Sequence, residues 1–223
     1  MAKIKFTIIT LFKEALEPYL NTSMMWKATD KGLAEFDFVN LRDFGLGPHK
    51  SVDDTPYGGG DGMLLRCEPV FNAIESVKEK DPSAKVILPT PVGEIWNQEM
   101  ARKFAKVDDG ETKHFIILCP HYEGYDERIL SIVDYKISLG KFVLTGGELP
   151  ALTIIDSVVR LIPGVLGGET SAEIESFSDG DNLEYPQYTK PYDFRGMTVP
   201  DILLSGNHGE VDKWRAEHSK RAE

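Results

Sequence analysis

Between Lys136 and Arg160 the chain reads KISLGKFVLTGGELPALTIIDSVVR, and this stretch limits the fold more than any other. It joins a short turn around Ser138 and Gly140, a run holding Phe142, Val143 and Leu144, and a helix; the pair Gly146-Gly147 cuts the second part from the third. Leu149, Leu152, Ile155 and Val159 recur at helical spacing. Pro150 fits the first helical turn, where a missing N–H costs nothing, and Pro163-Gly164 stops the helix. A glycine pair before a helix exposes backbone N–H groups, a good seat for a polar ligand or a carboxylate. It is equally the tight turn that packs a helix on a sheet, and the stretch alone does not choose.

The rest of the chain alternates in the same way. Ile4–Leu11 reads as a strand, Lys13–Tyr19 as a short helix, and Leu33–Val39 as a strand with Ala34, Phe36 and Phe38 on one face. Residues 41–63, LRDFGLGPHKSVDDTPYGGGDGM, are too long and too rich in Gly and Asp for an ordinary connector, and loops of this kind are usually functional or disordered. Glu68–Lys80 is a helix ended by Asp81-Pro82. Lys85–Leu88 is a short strand running into a stiff loop, PTPVG. Ile95–Ala105 is a helix, and Asp108–Gly110 a turn. His114–Cys119 is a continuous apolar strand, as in the middle of a parallel sheet. PHYEGYDERI then opens a helix at about Asp126, and Val133–Leu139 is a strand. The class is α/β with a mainly parallel sheet, and ligand loops belong at the carboxyl ends of its strands, after residues 88, 119 and 139. Beyond Leu166 the pattern breaks. Residues 1–166 read as one domain, 167–182 as a flexible linker, and 183–223, with a last helix near Glu210–Arg221, as a small second domain.

Composition narrows the function. No apolar run approaches a membrane span, and the N-terminus MAKIKFTIITLF lacks a signal-peptide cleavage site. Cys67 and Cys119 make neither a disulfide framework nor a zinc motif, and His49, His121 and His208 lack metal-ligand spacing, so no structural metal is expected. A reducing cytoplasm is the simplest compartment. The net charge of −11 argues against a general nucleic-acid coat, but it is uneven: residues 51–184 hold 12 Lys+Arg against 24 Asp+Glu, while 1–50 hold 7 and 6 and 185–223 hold 6 and 6. A polyanion would therefore touch the ends and local basic spots.

Five blocks stand in order: VDDTPYGGGDGM (52–63), CPHYEGYDERI (119–129), ISLGKFVLTGGELPA (137–151), RLIPGVLG (160–167), and LEYPQYTKP (183–191) with VPDILLSGNH (199–208). Together they closely resemble the bacterial TrmD-type tRNA (guanine-N1)-methyltransferases over nearly the whole chain. The resemblance implies methyl transfer from S-adenosylmethionine to N1 of the guanosine at tRNA position 37, beside the anticodon. It implies the SPOUT fold with a deep trefoil knot, a small mostly helical C-terminal tRNA-binding domain, an obligate homodimer with shared active sites, and magnesium for activity. Neither DNA nor a membrane is an expected partner. By the same resemblance the cofactor-binding residues are Leu88, Pro89, Thr90, Pro91 and Gly93; Pro120, Tyr122, Glu123 and Gly124; and Ser138, Leu139, Gly140, Lys141, Phe142, Val143, Leu144, Gly146, Gly147 and Pro150. Asp53, Gly58, Gly59, Gly60, Gly62 and Met63 would hold the target base, with Arg42, Lys50, Lys190 and Arg215 on the tRNA.

Guanine N1 carries a proton, so a base must remove it as the methyl moves, and the charge that develops on O6 needs a positive neighbour. The family's base is the aspartate of an Asp-Ser-Phe triplet. Here the triplet is Glu175-Ser176-Phe177, and Arg160 matches the family's catalytic arginine. Further departures are Pro120 for a usual glycine, Lys141 for a usual aspartate and an inserted residue after Glu175; the sequence stops soon after Trp214-Arg215, where the family's basic tail follows, which fits either a weaker tRNA grip or a truncated chain. Two other functions compete: a catalytically weakened tRNA-binding homologue, and a nucleotide-dependent oxidoreductase, for which GGGDG is a poor fingerprint because it follows no strand. Plainer roles compete too. Arg160 four residues after Asp156 suits a surface ion pair, Glu175 suits a solvated linker, and Cys119 suits an inert core thiol.

Overall fold

The structure, a computed structural model, describes residues 3–107, 112–167, 175–178 and 180–221. The expected turn at Asp108–Gly110 and half of the expected linker lie outside the described residues. The chain divides into two compact units, Met1–Leu166 and Gly167–Glu223.

In unit 1, strand β1 (Lys3–Thr10) is followed by a 3-10 turn, helix α1 (Glu17–Leu20), helix α2 (Ser23–Asp30) and strand β2 (Ala34–Asn40). The long stretch after β2 holds a 3-10 turn at Leu41–Phe44 and two short strands, β3 (Asp53–Asp54) and β4 (Leu64–Leu65), which pair antiparallel. Then come α3 (Cys67–Lys78), β5 (Lys85–Ile95), α4 (Gln98–Ala105), β6 (Thr112–Leu118), a 3-10 helix at Glu127–Ile132, β7 (Tyr135–Ser138) and α5 (Glu148–Val159). Strands β2-β1-β6-β5-β7 form one sheet in that order, and every pair is parallel.

A sheet covered on both faces explains the unbroken apolar runs. In β6, Phe115 and Ile117 pack to one side with α2, α4 and α5, while Ile116 and Leu118 pack to the other with α3. Ile4, Phe6 and Ile8 of β1 join the first face, and Ile9 the second. Phe104 of α4 stacks on Phe115 at 4.9 Å, and Phe115 on Phe6 at 5.7 Å, so helix and sheet are tied through aromatic rings. Each such fully buried side chain contributes about 1.5–3 kcal/mol.

Several local expectations change: the expected helix at Lys13–Tyr19 is a 3-10 turn followed by a single α-turn, the one opening near Asp126 is 3-10, and the last helix ends at His218, with Lys220–Arg221 in a strand. PTPVG is not a loop beyond a short strand, because β5 continues through it to Ile95. Ile137 of β7 faces both Pro89 and Glu94, so the residues between them bulge out of the ladder, the setting in which a sheet tolerates proline. Helix α4 starts three residues later than its apolar spacing suggests, because the Asn97 side chain accepts from Met100 N at 2.9 Å and caps it. In α5, Leu149 is 62 % exposed, and the buried face is Ala151, Ile154, Ile155, Val158 and Val159.

Unit 2 contains β8 (Asn182–Leu183), β9 (Asp193–Phe194), β10 (Met197–Thr198), a 3-10 turn at Asp201–Leu204, α6 (His208–His218) and β11 (Lys220–Arg221). Strand β8 pairs with β11, and β9 with β10. Trp214 stacks on His218 at 4.0 Å. Among the described residues no helix is long and apolar enough to cross a membrane.

Candidate active site

Strands β6, β5 and β7 are neighbours, so the loops after β6 and β7 and the bulge inside β5 between them meet at one edge of the sheet. The loops enclose a cavity of about 170 Å³. Its wall contains Pro89, Thr90 and Pro91 from the bulge, Pro120, Tyr122, Glu123 and Gly124 after β6, and Ser138, Leu139, Gly140, Phe142, Val143, Leu144, Gly146, Gly147 and Pro150 around the start of α5. These were all expected at a cofactor site. Three others are not in the wall: Leu88 is fully buried in the core on the α3 side, Gly93 packs on the Ile137 backbone, and Lys141 is exposed. Tyr125 and Ile137 complete the wall from outside the expected loops 88–93, 119–124 and 138–147, while His121 and Thr145 lie inside those loops without having been named. His121 and Tyr125 were visible inside the 119–129 block, but nothing there singled them out.

Hydrogen bonds lock the loops to one another. Thr90 Oγ1 and the Tyr125 hydroxyl are 2.8 Å apart, joining the bulge to the loop after β6. Trp96 N donates to Ser138 O at 2.8 Å. Ser138 Oγ in turn accepts from Gly140 N and donates to Gly140 O, at 3.3 and 3.2 Å.

The Gly146-Gly147 pair acts through close packing rather than as an open anion seat. Gly147 N donates to Pro120 O at 2.8 Å. A Cβ on Gly147 would lie 2.5 Å from both Cys119 Cα and Pro120 Cδ. Pro120 therefore seats its ring against the missing side chain of Gly147. Behind the pair lies Glu148, only 8 % exposed. Its carboxylate accepts from Thr10 Oγ1 at 2.6 Å and meets His121 Nε2 at 2.7 Å. A buried carboxylate needs such partners, and these two fix α5 to β1 and to the loop after β6.

The 41–65 stretch docks on the same loop. Glu123 N donates to Met63 O at 3.0 Å, Leu65 N to Gly124 O at 2.9 Å, and Asp126 N to Leu65 O at 2.9 Å. Gly62 lies against the Glu123 side chain, while Gly58, Gly59 and Gly60 stay exposed beside a fully exposed Tyr57. The Tyr122 hydroxyl interacts with Asp53 and Arg42. Burial and the Asp53 charge push its pKa up, and the Arg42 guanidinium pulls it down. Tyr122 is held at φ 66°, an uncommon conformation for a bulky residue. Lys50 pairs with Asp43 at 3.3 Å.

Arg160 is the half-buried C-cap residue of α5, and the Asp156 carboxylate accepts from the Tyr19 hydroxyl at 2.7 Å. In unit 2, Glu175 is half-buried and opens a tight turn. Its carbonyl accepts from Ser178 N at 3.0 Å, Ser176 Oγ accepts from Glu184 N at 3.0 Å, and Phe177 N donates to Asn182 O at 2.6 Å. Lys190 is exposed, and the Arg215 guanidinium lies over the Tyr185 ring at 4.8 Å.

Chemically, the cavity of unit 1 is a holding site. Burial, with the Glu148 charge behind it, raises the Cys119 thiol well above its ordinary pKa, so it stays protonated and unreactive. Apolar walls with a few convergent polar groups suit a flat heterocycle carrying a polar tail. Among the described residues, no three His, Cys, Asp or Glu side chains lie together as a metal cluster.

The family model described as tRNA (Guanine-1)-methyltransferase TrmD matches residues 4–223. A relative in Citrifermentans bemidjiense, named tRNA (guanine-N(1)-)-methyltransferase, is 51 % identical over 219 residues, covering 98 % of this chain and 86 % of its own. A relative of the same name in Lactiplantibacillus plantarum is 51 % identical over 217 residues, with coverages of 97 % and 86 %. Among solved structures, the tRNA (m1G37) methyltransferase of Aquifex aeolicus is similar with a TM-score of 0.79 and 38 % identity, over 97 % of this chain and 89 % of that one.

Proposed function

This chain belongs to the TrmD family of tRNA (guanine-1)-methyltransferases, and from that premise we propose how its residues divide the work. The protein is an S-adenosylmethionine-dependent enzyme that methylates N1 of the guanosine at position 37 of tRNA. The cofactor supplies a methyl group activated on a sulfonium. The observation that carries the assignment of its site is the cavity between the β5 bulge and the carboxyl ends of β6 and β7, walled by most of the residues the sequence pointed to.

In this reading the apolar wall, including Pro89, Leu139, Phe142 and Leu144, takes the adenine and ribose, and Glu123 faces the charged amino-acid end. The docked 41–65 stretch holds the target guanine. Asp53 is the candidate polar contact, Gly58, Gly59, Gly60 and Gly62 give close approach, and Met63 joins this loop to Glu123. Arg42, Lys50, Lys190 and Arg215 take tRNA phosphates. Glu175 removes the N1 proton and Arg160 stabilises the charge on O6. The trefoil knot belongs to the same reading and rests on the family resemblance. Magnesium as an activity requirement and a cytoplasmic location rest on the resemblance alone.

A homodimer belongs to the reading as well. Phe142 and Val143 in the cavity wall and Leu149 at the start of α5 are 55, 85 and 62 % exposed, and large exposed apolar side chains here are available to a second copy of the chain. Light scattering at micromolar concentration should give twice the chain mass; a fully active monomer would contradict the shared site.

Cofactor binding is testable without tRNA, because the loops are already tied to the sheet. At a hundredfold excess over Kd, S-adenosylmethionine should stabilise the fold by about 2.7 kcal/mol. A melting temperature unmoved by S-adenosylmethionine but raised by a nicotinamide dinucleotide would favour the oxidoreductase instead.

A further inference from the structure

Strands β9 and β10 of unit 2 are joined by only two residues, Arg195 and Gly196, with Phe194 opposite Met197 and Asp193 opposite Thr198. Their φ angles are 57° and 81°, so both residues are left-handed. That is the pattern of the type I′ hairpin turn, whose first position favours Asn, Asp or Gly. An arginine there is held against the preference of its Cβ. Its surroundings hold it. Gly196 N donates to Asp193 Oδ1 at 2.9 Å, Val199 N to Tyr192 O at 3.0 Å, and the Tyr192 hydroxyl to Asp201 Oδ1 at 2.9 Å. The Arg195 guanidinium lies over the Phe194 ring, 5.1 Å from its centroid. Phe194 and Met197 are nevertheless 53 and 65 % exposed. The tip thus combines a strained backbone with two large apolar groups in solvent and a planar cation. Strain retained at an exposed site is a pointer to function.

We propose that the Asp193–Thr198 hairpin is a base-stacking finger: Phe194 and Arg195 extend their stack onto an unpaired nucleobase of the substrate tRNA. The inference rests on the tRNA-methyltransferase reading and adds to it a mode of substrate contact. An aromatic ring beside a guanidinium is the pair that stacks on bases of any sequence. The charge distribution agrees: residues 185–223 carry 6 Lys+Arg and 6 Asp+Glu, so this end does not repel a polyanion as the acidic segment 51–184 does. An apolar protein partner fits less well, because it would bury the Arg195 charge without a counter-ion.

The test compares Phe194→Ala and Arg195→Gly with wild type in binding to an unmodified tRNA transcript at several salt concentrations. Oligomeric state and S-adenosylmethionine binding are followed alongside. Phe194→Ala should weaken tRNA binding by ~5–100-fold with an unchanged salt slope, because stacking releases no counter-ions. Arg195→Gly should weaken binding and lower the slope by about 1. Glycine suits the turn better than arginine, so Arg195→Gly should melt no lower than wild type, which separates lost contact from lost fold. S-adenosylmethionine affinity should not change in either variant. Both variants binding tRNA within about twofold of wild type would overturn the finger. So would a loss of affinity that appears only with a changed oligomeric state, since the tip would then join copies of the chain. A wild-type protein that neither binds nor methylates the transcript refutes the methyltransferase reading itself, and the finger falls with it.

Discussion

Replacing Glu175 by glutamine should leave S-adenosylmethionine binding intact and slow single-turnover methyl transfer by roughly 10²–10⁴-fold, the range for a removed general base. Guanine N1 is protonated at neutral pH and becomes a nucleophile only as that proton leaves. Glutamine keeps the shape of the side chain and removes its basicity, so a loss in the chemical step alone identifies the role. Glutamate and aspartate have nearly the same proton affinity, so the two carboxylates differ in reach rather than in strength. The backbone under Glu175 is held by the Ser178 N–H on its carbonyl and by the bonds at Ser176 and Phe177. The extra methylene therefore acts from an anchored base. Since a misplacement of about 1 Å can cost ~10²-fold, Glu175→Asp should remain active, and a gain would show that the longer arm is a handicap. Turnover of Glu175→Gln within about threefold of wild type would remove Glu175 from the mechanism. Glu173 and Asp179, which lie outside the described residues, would then be the next candidates.

Gly147→Ala should both destabilise the protein and weaken S-adenosylmethionine binding at least ~10-fold, because one added carbon meets rigid neighbours at the cavity wall. Its position is 2.5 Å from Cys119 Cα and Pro120 Cδ and 2.9 Å from Pro120 N, all backbone or ring atoms that cannot swing aside. The backbone of Gly147 is at φ −86°, ψ −4°, which alanine adopts freely, so the effect is purely steric. Relief requires α5 to lift from the loop after β6. That movement stretches the Gly147–Pro120 hydrogen bond and draws Glu148 from Thr10 and His121. Overpacking costs about 1–3 kcal/mol, and loosening a buried carboxylate adds to it. Gly167→Ala is the control: its Cβ would meet nothing within 4 Å, so stability should stay within about 0.5 kcal/mol of wild type. A Gly147→Ala protein that melts and binds cofactor like wild type would mean that the packing of α5 on this loop does not shape the site.

Much of the fold was legible because its signals are local. The run HFIILC needs apolar cover on both faces, and β6 has it. The alternation of strand and helix placed ligand loops after β6 and β7, and the third expected segment, after residue 88, lines the site as a bulge within β5. What escaped depends on distant partners. Helix α2, SMMWKATD, is short and has no side-chain hydrogen bond at its Thr22 N-cap. Only Met25 and Ala28 are buried in it, so its periodicity was too faint to read. Two prolines and a glycine made PTPVG look like a loop, yet pairing with β7 on either side of a bulge carries the strand through. The glycine pair was read with two alternatives open, and only the nearness of Cys119 and Pro120, remote in sequence, favours packing. The same holds for His121 with Glu148 and for Thr90 with Tyr125: no spacing predicts either contact. The site's outline came from blocks that resemble a family, while the hydrogen bonds fixing it became visible only in the folded chain.

The most direct measurement is transfer of labelled methyl from S-adenosylmethionine to an unmodified tRNA transcript in the presence of magnesium, with the product nucleoside identified and mapped. The account predicts 1-methylguanosine at position 37 and no label when adenosine stands there. Label on another nucleoside or another position, or no label although cofactor and tRNA both bind, would contradict it.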